Sequence, residues 1–220
     1  ILAVVVLYFH RLNPFSPRKK QSQKRETVIL WIKIIIACLP AAIVGIPFDD
    51  ILEAYLMKSY VVAAMLILYG VLFIVLENHN ANTRFPIQKT SQITFQTALF
   101  IGLFQLLSLI PGTSRSGSTI LGAMILGCSR GAAAEFSFFL GIPVMFGASL
   151  LKIVKFGRLF TGPEIAYLLI GMITAFIVSV LSIKFLITYV RKNDFKFFGY
   201  YRIVLGVVVF AYFGISALAG

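Results

Sequence analysis

Residues 111–120, with the sequence PGTSRSGSTI, decide the fold because they interrupt a long apolar stretch of the chain. Residues 98–110 before the interruption and 121–128 after it carry no charged side chain, which leaves Arg115 as a lone charge at apparent membrane depth. Ionisable residues at that depth are rare and usually functional. Broken backbone inside a membrane also needs protein or a polar cavity around it. The stretch therefore predicts a functional site at a turn between two apolar helices.

The residue types in this turn match an oxyanion ligand. Arg115 offers a planar fork of N–H donors that fits phosphate oxygens, and a helix beginning after the turn adds backbone N–H groups. Pro111 and Gly112 end the preceding helix, while Gly117 lets the backbone approach a ligand closely. The hydroxyl side chains that complete the predicted anion site are those of Thr113, Ser114, Ser116, Ser118 and Thr119.

Each of these residues also has a structural explanation. Arg115 fits a role in bonding the free carbonyls of a broken helix, and serine and threonine often cap helices at such turns. Because hydroxyls surround Arg115, we favour ligand binding, with one or two hydroxyls touching the ligand. Glu135 lies in the first turn of the next apolar helix, where the helix dipole favours a carboxylate. Glu135 therefore fits two roles equally well, as a charge that stabilises the helix start and as a residue of the site. In either role it could pair with Arg130 or Arg115.

Two further features of the helices are interpreted as architecture. Ala133, Ser137 and Gly141 recur every four residues and form a stripe of small residues suited to close helix packing. The last apolar helix begins with Tyr200, Tyr201 and Arg202, and aromatic and basic residues at such a position usually anchor a helix at the membrane interface.

The composition indicates an integral membrane protein. The chain of 220 residues is 59% hydrophobic and 13% charged, with a mean hydropathy of +0.93, whereas soluble domains are about 25% charged. Twenty Lys and Arg against eight Asp and Glu give a net charge of +12. Most of the excess falls in short links between apolar segments, as is usual beside membrane helices, and this disfavours nucleic-acid binding. Cys38 and Cys128 lack the spacing of metal ligands.

The pattern of apolar segments predicts a polytopic helix bundle. The stretch around the turn has halves of about 18 and 11 residues, and about 11 residues cannot cross some 30 Å of hydrocarbon. We therefore expect a re-entrant hairpin over residues 94–128, although two full crossings would return the chain to the same side. Membrane helices are predicted at about 28–47, 60–76, 132–151, 163–188 and 200–219.

The basic residues orient this bundle. With the links 11–25, 77–92 and 189–199 in the cytoplasm together with Arg130, twelve Lys and Arg lie inside and four lie in the outside loops. Such an asymmetry follows the positive-inside rule. The apolar segment from Ile1 to Phe9 is too short to span a membrane, so we expect residues 1–220 to be a single transmembrane domain truncated at its N-terminus.

Three segments resemble the undecaprenyl-diphosphate phosphatases, also called bacitracin-resistance proteins. The similarity lies in residues 111–119, in GCSR at 127–130 followed by AAEFSF at 133–138, and in Tyr201-Arg202. Helix order and loop lengths also fit from Ile1 to Gly220. The resemblance implies two inverted halves, each with a re-entrant hairpin. It also implies hydrolysis of undecaprenyl diphosphate to undecaprenyl phosphate and phosphate, which recycles the lipid carrier of bacterial wall synthesis and gives bacitracin resistance.

The resemblance also assigns roles and a location. It implies that Arg115 and Ser114 are catalytic and that a divalent metal, Mg²⁺ or Ca²⁺, takes part. The family's metal-binding glutamate motif is absent, so no metal ligand is expected in this chain, and these residues alone are expected to be inactive. The implied partners are a polyprenyl diphosphate and membrane lipids of the bacterial cell membrane, and a homodimer is left open. The substrate-binding residues would be Thr113, Ser116, Gly117, Ser118, Thr119 and Glu135.

Two other functions use the same features. A transporter or flippase of an anionic lipid or metabolite would also place a positive hairpin tip inside the membrane. A membrane subunit that only binds a lipid diphosphate would need the same tip. Release of phosphate distinguishes the predicted enzyme from both.

Overall fold

The computed structural model describes residues 1–17, 19–80, 83–156 and 162–219. Arg18 and Arg158, which enter the charge count, lie outside the described residues. Within those ranges the chain forms helices and no strand, apart from one isolated bridge between Ile87 and Cys128. The α-helices are α1 (Leu2–Leu7), α2 (Phe9–Leu12), α3 (Gln21–Leu56), α4 (Ser59–His79), α5 (Phe95–Leu106), α6 (Arg115–Ile125), α7 (Arg130–Phe156), α8 (Gly162–Lys192) and α9 (Lys196–Ala219).

Five of the described helices, α3, α4, α7, α8 and α9, are long and apolar enough to cross a membrane. The predicted all-α integral membrane protein is confirmed. Each helix is longer than its predicted apolar segment because polar residues continue the helix beyond the hydrocarbon. In α3 the helix also runs through Pro40 and Pro47, since a membrane bundle tolerates proline inside its helices. The apolar 18-residue window of α8 contains no buried residue, as expected of a helix that faces lipid.

Close contacts between glycines hold α9 against α4, which is the most extensive helix contact in the described bundle. A Cβ atom at Gly70 would lie 2.7 Å from the carbonyl oxygen of Gly199, and one at Gly199 would lie 2.8 Å from that of Gly70. Small residues let membrane helices approach in this way without a hydrophobic driving force. The contact fixes the first turns of α9 beside the middle of α4.

Helices α5 and α6 form a hairpin whose two ends lie together. The link before α5 pairs with the turn after α6, where Ile87 N–H donates to Gly127 O (3.2 Å) and Ser129 N–H donates to Ile87 O (2.8 Å). Helix α6 has 11 residues and is about 16 Å long, which is half of a hydrocarbon core. These lengths favour the re-entrant hairpin at 94–128, which stays a prediction.

A buried carboxylate joins three helices at the end of the bundle from which this hairpin starts. Glu77, predicted to begin a polar link, is 1% exposed at the end of α4. It accepts hydrogen bonds from Arg130 Nε (2.9 Å) at the start of α7 and from Phe195 N–H (3.0 Å) just before α9. Arg130 is ion-paired with Glu77, and Glu135 is ion-paired with Arg11, two contacts that the sequence does not predict.

Candidate anion site at the hairpin tip

The turn between α5 and α6 depends on a glycine and a threonine. Gly112 has a φ of +90°, and a Cβ atom there would lie 2.5 Å from the carbonyl oxygen of Val62 in α4. Only glycine fits that conformation and that space. Thr113 Oγ1 donates to the carbonyl oxygen of Ile110 (2.5 Å) and thereby closes the turn. Val62 lies seventeen residues before His79 in α4, about 25 Å along the helix axis, so the tip lies far from the end of the bundle at which the hairpin starts, beside the first turn of α4.

Helix α6 begins at the tip with a side-chain cap. Ser114 Oγ accepts a hydrogen bond from Gly117 N–H (3.1 Å) and lies 3.0 Å from Ser116 Oγ. The cap leaves the other N–H groups of the first turn, together with the positive end of the helix dipole, facing the tip. Both serine side chains are partly exposed there, so the one hydroxyl proton that is not used between them is available to an anion.

Arg115 lies flat against a glycine of α7. A Cβ atom at Gly141 would be 2.5 Å from Arg115 Nη2 and 3.1 Å from both Cζ and Nη1. The stripe of small residues therefore also makes room for a guanidinium group. Arg115 Nη1 is buried and makes no hydrogen bond within the described part of the chain. A buried guanidinium N–H without an acceptor is costly, and an oxyanion would supply the acceptor.

A second arginine reaches the tip from α9. Arg202 Nη2 donates to the carbonyl oxygen of Gly112 (3.2 Å), and a Cβ atom at Gly117 would lie 3.1 Å from Arg202 Nη1. Its guanidinium carbon is 5.8 Å from the ring centroid of Tyr69, within the range of a cation–π contact. The interpretation of Arg202 as an interface anchor is wrong, because its side chain points into the bundle. Ninety residues of sequence separate it from Gly112, and only the fold brings the two together.

Two of the predicted hydroxyls lie below the tip in buried contacts. Ser118 Oγ donates to Tyr69 Oη (3.0 Å), and Thr119 Oγ1 lies 2.7 Å from Ser137 Oγ of α7. Ser118 is 1% exposed and Thr119 is fully buried. These contacts hold α6 between α4 and α7. Ligand binding by Ser118 and Thr119 stays a prediction, and their observed contacts indicate a role in positioning the tip.

Glu135 is ion-paired with Arg11 of α2. It precedes Gly141 by six residues, about 9 Å along α7, and so lies nearer the start of that helix than the level of Arg115. In the described residues no three His, Cys, Asp or Glu side chains group closely enough to hold a metal ion. The described residues by themselves therefore supply no complete set of such ligands for a metal ion.

The fold and the tip define a polytopic membrane protein in which Arg115 of a helical hairpin and Arg202 of α9 lie at the hairpin tip. Residues 1–208 match the family described as bacitracin resistance protein BacA, and the chain belongs to that family. It is therefore a multi-pass protein of the bacterial cell membrane.

Individual relatives cover nearly the whole chain. The undecaprenyl-diphosphatase of Desulfitobacterium hafniense is 57% identical over 100% of this chain and 80% of its own length. That of Lactiplantibacillus plantarum is 58% identical over 97% of this chain and 78% of its own length. The undecaprenyl-diphosphatase of Enterococcus faecalis is 54% identical over 96% and 78% respectively.

Proposed function

We propose that this protein hydrolyses undecaprenyl diphosphate to undecaprenyl phosphate and inorganic phosphate. The observation that carries the proposal is the convergence of Arg115 and Arg202 on the first turn of α6, in an apolar bundle. Relatives that share more than half of the sequence are named for this activity. Recycling of the lipid carrier of wall synthesis, and bacitracin resistance, follow from the activity.

A diphosphate carries more negative charge than one arginine neutralises, and the hairpin tip offers two arginines. Two guanidinium groups and the N-terminus of α6 supply donors for several phosphate oxygens at once. Arg115 has a buried N–H without an acceptor in the described part of the chain, and Arg202 has donors beyond the one used on Gly112. The polyprenyl tail of the substrate would remain in the surrounding lipid.

The chemical step is the attack of water on the terminal phosphorus. The bond between that phosphorus and the bridging oxygen breaks, polyprenyl phosphate leaves, and the proton of the attacking water is released. Charge grows on the bridging oxygen, so donors fixed before the reaction lower the barrier. We assign Arg115 to this oxygen and to the leaving phosphate, and Ser114 and Ser116 to oxygens of the terminal phosphate. In this scheme Thr113, Gly117, Ser118 and Thr119 shape the binding turn.

We also propose that activity needs a divalent metal, Mg²⁺ or Ca²⁺. Hydrolysis of phosphoanhydrides usually relies on such an ion to offset phosphate charge. Incubation with a chelator should abolish phosphate release, and either ion added back should restore it. Phosphate release that continues in the presence of the chelator would show that the reaction needs no divalent metal, and it would not contradict substrate binding by the arginines.

The experiment that tests the function compares Arg115→Lys with Arg84→Lys, which makes the same change at an exposed residue of the 83–89 link. Phosphate release from undecaprenyl diphosphate is measured for the protein as its gene encodes it, purified in detergent. We expect Arg115→Lys to lose most activity, because a point ammonium cannot reproduce a bidentate fork. Arg84→Lys should match the wild type. A wild type that moves the lipid across vesicles without releasing phosphate would be a transporter instead.

A further inference from the structure

A cavity of about 450 Å³, lined mainly by polar residues, opens at the end of the bundle opposite the hairpin tip. Its walls come from α2, from the link before α3, from the first turns of α3 and from the short 3₁₀ helix Thr90–Gln92. In the proposed topology this end faces the cytoplasm. The cavity lies outside the anion site, and none of the roles assigned above uses it as a whole.

A lysine without an acidic partner lines this cavity. Lys19 Nζ donates to Thr27 Oγ1 (2.7 Å) and to the carbonyl oxygen of Arg11 (3.0 Å). No carboxylate lies within ion-pair distance of Lys19 among the residues the structure describes. An ammonium carries three N–H donors, so one remains for a ligand. Burial and the charge of Arg11 lower the pKa of Lys19, as expected where positive charge is not compensated.

The other cation in the wall is already engaged. Arg11 donates from Nη2 to Thr90 Oγ1 (2.6 Å) and is ion-paired with Glu135. Thr90 is 1% exposed, so this contact ties the Arg11 side chain, which is 43% exposed, to a buried residue of the cavity wall. Glu26, which is exposed, provides the acidic group at the cavity rim. The charge of Lys19 therefore favours an anionic ligand, and the negative charge of that ligand must lie closer to Lys19 than to Glu26.

The position of the cavity favours a lipid headgroup. Lys19 lies two residues before α3 begins and about nine residues before its apolar segment, so it lies on the cytoplasmic side of that segment in the proposed topology. Phe9 and Phe15 flank the cavity residues in sequence and are 51% and 87% exposed, as aromatic side chains often are at a membrane interface. Anionic lipids of the cytoplasmic leaflet attract basic segments on this side of a membrane helix.

We propose that this cavity binds the phosphate of an anionic phospholipid from the cytoplasmic leaflet, with Lys19 as the main contact. The lipid fastens the link between α2 and α3 to the 3₁₀ helix that precedes the hairpin. The proposal does not depend on the hydrolytic activity.

The test measures the melting temperature of the purified protein with phosphatidylglycerol, phosphatidylcholine or inorganic phosphate added. Phosphatidylglycerol should raise the melting temperature by several degrees, since a ligand stabilises the state that binds it. Phosphatidylcholine and inorganic phosphate should raise it little. Lys19→Gln should lose most of the shift, while Lys20→Gln, which removes the same charge from an exposed neighbour outside the cavity, should retain it.

A second variant keeps the test decisive if Lys19→Gln folds poorly. Glu26→Gln removes the acidic group of the rim and should enlarge the shift with phosphatidylglycerol. Equal shifts in Lys19→Gln and Lys20→Gln would refute the site, since the lipid would then act through the general surface charge. An equal shift with inorganic phosphate, or a smaller one in Glu26→Gln, would refute an anionic lipid as the ligand.

Discussion

Replacing Gly141 with alanine should damage the anion site while leaving the fold intact. The new Cβ atom would lie 2.5 Å from Arg115 Nη2, whereas an ordinary contact needs 3.4 Å, so the guanidinium must retreat by about 0.9 Å. Misplacing a reacting group by about 1 Å costs on the order of 100-fold in rate. Alanine is favoured over glycine inside a helix by about 1 kcal/mol, which opposes any loss of stability. We expect kcat/KM to fall by roughly 100-fold with an unchanged or higher melting temperature.

The matched control is Gly147→Ala in the same helix. No atom lies within 4 Å of a Cβ at Gly147, so this variant gains the same helix preference without touching Arg115. The assay is the initial rate of phosphate release from undecaprenyl diphosphate, with the melting temperature measured on the same preparations. If Gly141→Ala and Gly147→Ala are equally active, the position of Arg115 does not limit the reaction and the reasoning fails.

Three other variants test separate parts of the structure. Arg202→Gln should lower kcat/KM by roughly 10- to 100-fold, because charged hydrogen bonds are worth about 1.5–3 kcal/mol. Kinetics close to those of the wild type would show that Arg202 only holds Gly112 and does not bind the substrate. Glu77→Gln should destabilise the purified protein by about 3 kcal/mol, since it leaves Arg130 without its buried partner. An unchanged melting temperature would show that the Glu77–Arg130 ion pair does not stabilise the bundle. Gln105 is 1% exposed, and its amide makes no hydrogen bond within the described chain. Gln105→Leu should therefore keep or raise the melting temperature, and a lower melting temperature would show that the amide has a structural partner.

The sequence predicted the membrane helices because hydropathy is a local property, and each of the five long helices contains its predicted apolar segment. It also predicted the turn around Arg115, since proline, glycine and a lone charge are visible in a short window. Gly141 was recognised as a small packing residue, but the atom that fills its space belongs to another helix. Arg202 and Glu77 were misjudged for the same reason. Their partners lie 90 and 53 residues away in sequence, and pairing at that range follows from the packed bundle.

The central claim is that two arginines at the hairpin tip bind the diphosphate of the lipid. The most direct test is the affinity of the purified protein, in lipid nanodiscs, for undecaprenyl diphosphate and for undecaprenyl phosphate. The account predicts that Arg115→Lys and Arg202→Lys each weaken diphosphate binding by about tenfold or more, which corresponds to about 1.4 kcal/mol. It also predicts a smaller effect on the monophosphate, which carries less charge. Diphosphate affinities that match the wild type in both variants would contradict the claim.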